Sequence, residues 1–286
     1  MFPSQPPPVQ DRVTGNSASG RLDIPSAAPI LPGMSQAPTT LPNTLPGAHN
    51  RAHDSAPKHA LIVTHGSPAD PAPQERWLAA LAVRVAMWCP GWQVRAATLA
   101  AEGALAAALA RNPNPVIYPL FMAEGWFTRS HLPQRLAAAG GAGLRQLPAF
   151  GHDPDLPALI AAAAIAGAAD HGLPPAETTL LLAAHGSQRS PASARITESI
   201  ADTLRQTTGF ARITTGYVEQ DPWLADSART CRAPALCLPL FATRAGHVAE
   251  DVPQALAEAR FPGPLLPAIG EHPHTARVIA AALLRA

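Results

Sequence analysis

The sequence predicts an α/β protein of two homologous domains, each a small parallel sheet flanked by helices, behind a disordered N-terminal arm. Three observations predict it. A short apolar run ends in His-Gly-Ser twice, at His65 and again 120 residues later at His185. Short apolar runs alternate with longer helical stretches, as in a buried parallel sheet. The first 57 residues are rich in Pro, Ser, Asn, Thr and Gln and poor in large apolar side chains.

The arm comes first. Pro6, Pro7 and Pro8 run together, and prolines recur to Pro57. Proline removes backbone donors, and so polar a segment buries too little surface to offset its ordering entropy. We expect residues 1–57 to be disordered; a proline-rich ligand for a partner domain is the alternative.

The duplication sets the rest. Ala60–Thr64 and Thr179–Ala184 are matching strands. Pro119-Leu-Phe121 and Pro239-Leu-Phe241 keep the 120-residue offset, as do Pro133-Gln134 and Pro253-Gln254. Gly151-His-Asp-Pro154 and Gly270-Glu-His-Pro273 drift by one residue. This period is too long for a solenoid and suits two domains: 58–166 and 179–286, joined by a linker at 167–178. In the second half the strands are expected at 179–184, 211–217, 235–240 and 264–269. Helices are expected at 192–207, 223–230, 249–258 and 275–285.

Composition narrows the function. The chain has 286 residues, 47% hydrophobic and 14% charged, with a formal net charge of +1. Nucleic acid is not the expected partner, because phosphate binding needs a basic surplus. Three cysteines give no disulfide framework and favour a reducing compartment. The first residues lack a basic, then apolar, signal pattern. The longest apolar run, Leu159–Ala169, is well short of the ~20 residues of a membrane span. A cytoplasmic protein with no membrane partner is expected. The sequence has no Gly-x-Ser-x-Gly elbow, no P-loop and no dinucleotide fingerprint.

In a parallel sheet, ligands sit beyond the carboxyl ends of the strands. His185 stands at such an end, and His247 follows another after a glycine-bearing loop. Two imidazoles converging there suit a borderline divalent metal and leave coordination positions open. His185 can instead merely plug the strand end. Glu219 follows a third strand and can line the same mouth. Glu250 and Asp251 can serve as outer acceptors or as the acidic first turn of a helix. The first half departs from this pattern: Phe127 stands in the place of His247, and Ala100 or Ala101 in that of Glu219. It offers instead Glu124 beside Trp126 and Phe127, a candidate cleft wall for a flat ligand or a filling of the core. His131 reads as a solvated or capping residue, and His152, His272 and His274 read as structural.

These motifs together resemble the CbiX-type sirohydrochlorin chelatases. They are an apolar strand into His-Gly-Ser, Gly216-Tyr-Val-Glu-Gln-Asp-Pro-Trp-Leu224, Pro239-Leu-Phe241 with Gly246-His-Val-x-x-Asp-Val-Pro253, and the Gly270 turn. The resemblance covers roughly 58–286 and is fuller in the second half. It implies a two-domain, chelatase-like fold with a tetrapyrrole between the halves. The implied activity is ATP-independent insertion of cobalt or ferrous iron into sirohydrochlorin, towards cobalamin or sirohaem. His185 and His247 would be the metal ligands and catalytic residues, with Glu219 and, from the first half, Glu124. No cofactor is implied beyond the substrate ion, Co²⁺ or Fe²⁺. Arg129, Arg189, Arg195 and Arg244 would meet the carboxylates of the macrocycle. One chain would supply both walls of the cleft, as a monomer. The alternative is a non-catalytic tetrapyrrole- or metal-binding protein on a degenerate chelatase fold.

Overall fold

The computed structural model describes residues 56–244 and 247–286, with His247 described by its backbone alone. The expected arm, with His49 and His53, lies outside the described residues as far as residue 55.

The first half runs β1 (Lys58–Thr64), α1 (Ala72–Ala86), β2 (Trp92–Thr98), α2 (Ala104–Ala110) and β3 (Val116–Pro119). A π-helical turn, Phe127–His131, then leads into α3 (Leu132–Ala138), and α4 (Leu156–Asp170) closes the half. The second half repeats the order: β4 (Thr179–Ala184), α5 (Ala192–Thr207), β5 (Arg212–Tyr217), α6 (Leu224–Arg229) and β6 (Ala235–Pro239). Its own π-helical turn, His247–Asp251, leads into α7 (Val252–Ala259), and α8 (Thr275–Leu284) ends it. The repeated Pro-Gln pair has a simple cause. Pro133 and Pro253 sit in the first turns of α3 and α7, where a missing N–H costs no helical bond.

Both sheets are three-stranded and parallel, in the orders β2-β1-β3 and β5-β4-β6. The central strands are buried on both faces, so they read as unbroken apolar runs. Their side chains still alternate in destination, with the period of two that a pleat imposes. Ala60 and Ile62 of β1, and Leu180 and Leu182 of β4, enter one core shared by the two halves. Leu61 and Val63 face a separate cluster with Leu132 and Leu136 of α3. Leu181 and Ala183 face another with α6 and α7.

The shared core is a layer of four helices. Helix α1 covers the first sheet and α5 the second. The last helix of each half crosses over: α8 packs on α1 and β3, and α4 packs on α5 and β6. Helix α4 buries one face, Leu156, Leu159, Ile160, Ala163, Ala164, Gly167 and Ala168, and leaves Ala158, Ala162 and Ile165 exposed. At Gly167 a Cβ would lie 2.4 Å from Leu266 Cδ1 of the second half. The helix runs through 166 to Asp170, so residues 171–178 make the connection.

One expected element is corrected. Residues 264–269 are not a strand: they run beside β6 but share a single bridge, Cys237 with Leu265. Pro264 and Pro267 lack N–H donors, so the ladder cannot continue. Among the described residues no helix is long and apolar enough to cross a membrane.

Candidate functional site

Strand β4 ends at Ala184 and delivers His185 to the rim of its sheet. Gly186 has φ +73°, and a Cβ there would lie 2.6 Å from Gln220 Cγ and 2.8 Å from Tyr217 Cβ. Glycine is therefore required both for the left-handed turn and for the close approach. Gln220 Oε1 accepts the Ser187 N–H at 2.7 Å, and the Glu219 N–H donates to the His185 carbonyl at 2.9 Å. The His-Gly-Ser turn is thus stitched to the loop after β5.

That stitching sets the imidazole. The Gly186 carbonyl can only accept, so His185 Nδ1 donates to it, at 2.9 Å. With Nδ1 as the donor, the ring's lone pair is on Nε2. Glu219 Oε2 stands 3.7 Å from His185 Nδ1, and the two side chains are 40% (His185) and 48% (Glu219) exposed. Imidazole and carboxylate thus share one accessible rim.

The third strand supplies the turn. The Leu240 N–H donates to the Ala183 carbonyl at 2.7 Å, and the Gly270 N–H to the Phe241 carbonyl at 2.9 Å. A Cβ on Gly270 would lie 1.9 Å from the Ala242 carbonyl oxygen. The Gly-x-x-Pro turn is therefore docked onto the segment that leads to His247. The backbone of His247 heads the π-helical turn, a local widening frequent at functional sites. Its side chain lies outside the described residues.

The first half builds the same scaffold with different side chains. His65 Nδ1 donates to the Gly66 carbonyl at 2.7 Å. The Ala100 N–H donates to the His65 carbonyl at 2.9 Å, so Ala100 rather than Ala101 holds the register of Glu219. Phe127 heads the π-helical turn, its ring edge-on to His65 with centroids 4.7 Å apart. Phe121 and Trp126 pack on Phe127, and His131 stacks on Trp126 at 4.7 Å. His131 is therefore part of an aromatic cluster rather than a solvated residue. Trp126 is 60% exposed and forms the open face of that cluster.

Glu124 lies in the same loop as this cluster. Its Oε2 lies 2.9 Å from Arg129, and its backbone N–H donates to His152 Nε2 at 3.4 Å. The structure thus brings His185 and Glu219 together and sets Glu124 in the other half, held by an arginine. Arg189, Arg195 and Arg244 are exposed. His59 lies in β1 and bonds Asn112 Oδ1 at 2.8 Å. Burial, and then His274, lower the pKa of His272. The cysteines are buried free thiols with pKa values raised by burial, as expected of unreactive thiols.

Sequence reasoning missed the roles of Gly151, Gly270 and Gln220. The two glycines were visible as a repeated turn, but nothing in a linear sequence says what they press against. Gln220 had no signal at all.

Comparison with known proteins agrees with this architecture. The CbiX family profile matches residues 179–286. Among solved structures, CbiX, described as the terminal enzyme for sirohaem biosynthesis in denitrifying bacteria, is 49% identical, with a TM-score of 0.75. That match covers 80% of this chain and 99% of the other. A multidomain protein of Deinococcus radiodurans, described as similar to chelatases with two additional domains, is 26% identical with a TM-score of 0.64. It matches over 80% of this chain and 55% of its own length. SirB of Bacillus subtilis, solved with Fe³⁺, shares the fold at 16% identity and a TM-score of 0.65, over 80% of this chain and 95% of SirB. A search of curated proteins gives no match.

Proposed function

We propose, from the premise that this chain belongs to the CbiX family, that it inserts Co²⁺ or Fe²⁺ into sirohydrochlorin without ATP. The observation that carries the proposal is the rim of the second sheet. His185 is locked with its lone pair on Nε2, Glu219 stands beside it, and His247 heads the adjoining turn. The metal ion is a substrate, and the protein supplies no other cofactor.

His185 and His247 hold the incoming ion and leave its remaining positions to water and then to the macrocycle. Insertion releases two pyrrole protons as the four nitrogens close on the metal. Glu219 takes one, and Glu124, from the first half, takes the other. The macrocycle lies against the open face of Trp126, where a flat π-system has an aromatic partner. Its carboxylates meet Arg129, Arg189, Arg195 and Arg244. Arg129 is 71% exposed, so its pairing with Glu124 is a weak surface interaction that a polycarboxylate can displace. One chain provides both walls and works as a cytoplasmic monomer.

The test is anaerobic insertion followed by absorption, with sirohydrochlorin and Co²⁺ or Fe²⁺. Insertion above the uncatalysed rate is expected. It should be lost in His185→Ala and His247→Ala and kept in His65→Ala. Substrate bound with no insertion above background would instead support a tetrapyrrole-binding protein on a degenerate site.

A further inference from the structure

We propose that Gln74 is a positioning residue for the second-half site, holding from the first half the backbone of Arg244, three residues before His247. The proposal rests on reading His185 and His247 as the metal pair. Gln74 lies in the first turn of α1, at the mouth of the first sheet. Its Nε2 donates to the carbonyl of Arg244 at 3.4 Å, a long hydrogen bond between residues 170 positions apart. Arg244 stands three residues before His247. The contact therefore ties the first half to the segment that precedes His247 in the second.

The other end of the amide says why a glutamine is there. A carbonyl can only accept, so Nε2 must face Arg244 and Oε1 must face away. Oε1 is buried and finds no donor among the described residues. A buried acceptor left unmatched is costly, and native structures keep few of them. A methionine would fill the same space without that cost. Stability alone therefore does not favour glutamine, whereas anchoring Arg244 requires its donor. The pseudo-symmetry of the halves agrees: at the 120-residue offset Gln74 becomes Ala194, whose side chain has no donor. The anchor thus exists only toward the half that holds His185 and His247.

The experiment compares wild type with Gln74→Met and Gln74→Glu, which both lack the donor. Thermal midpoints are measured, and insertion rates are taken with Co²⁺ and sirohydrochlorin varied separately. Gln74→Met should melt at or above the wild-type temperature. In both variants KM for Co²⁺ should rise by about fivefold or more, as when a metal ligand loses its support. KM for sirohydrochlorin should stay within about twofold, because Gln74 acts on the metal-bearing segment. An unchanged KM for Co²⁺ in both variants would overturn the proposal. So would a lower melting temperature for Gln74→Met with only kcat reduced, the signature of a structural role. Wild-type protein without His185-dependent insertion would sink the underlying function, a separately readable result.

Discussion

The side chain at the head of each π-helical turn separates the two rims. The turn, the strand-end histidine and its Nδ1 bond to the next carbonyl occur in both halves. The first half has a phenylalanine at the head of its turn, and its ring packs edge-on to His65. A carbon ring cannot donate a lone pair to a metal, so His65 is left as a single imidazole in an aromatic cluster. Phe127→His would restore a histidine at that head. We expect Phe127→His in a His185→Ala background to regain Co²⁺ binding, read as a stoichiometry near one by titration calorimetry. The His185→Ala single variant should bind weakly or not at all. Failure to regain binding would mean that the two rims differ in more than this side chain.

Turns, more than strands, place the candidate groups. Each rim is completed by a glycine pressed onto the chain leaving the third strand: Gly151 onto Met122 and Gly270 onto Ala242. A Cβ at Gly270 cannot coexist with a carbonyl oxygen 1.9 Å away, so one segment must move. Gly270→Ala should cost about 1–3 kcal/mol in chemical denaturation, the usual range for overpacking. It should also lower the specific activity of the folded fraction, because Ala242 lies on the path to His247. Full activity with normal stability would show that the turn is merely adjacent to the site.

The exchange of α4 and α8 makes the duplicated halves one folding unit with one core. At the end of α8, Arg285 bridges back to the first half, 3.0 Å from Asp153 and 2.6 Å from Asp155. The Asp153 side chain is 3% exposed. Burial raises its pKa above the ordinary carboxylate value, opposed by the Asp155 N–H and by Arg285. A folded pKa above the unfolded one means that this group's contribution is fully present below the unfolded pKa and is lost as pH rises through the folded pKa. Arg285→Ala removes one opposing partner and widens that gap. It should therefore destabilise by about 2 kcal/mol near neutrality, where Asp153 is ionised without its arginine. The loss should shrink at acid pH, as the carboxyl protonates. Urea denaturation at neutral and at acid pH checks this, and an equal loss at both would exclude Asp153 as the cause.

Much of this was legible in the linear chain. Two parallel sheets, the duplicated His-Gly-Ser rims and the missing partner in the first half follow from local patterns. Strand burial and turn chemistry act within a few residues, and the duplication doubles each signal. The stretch 264–269 misled because an apolar run resembles a strand until its prolines meet a neighbouring ladder. The crossing of α4 and α8 was not legible, because a helix's own residues carry no mark of which sheet it will cover. Nor were the contacts of Gly270 with Ala242, Gln220 with Ser187, or Gln74 with Arg244. Each joins residues distant in sequence, and side-chain type alone encodes no partner across a core: long-range packing chooses it.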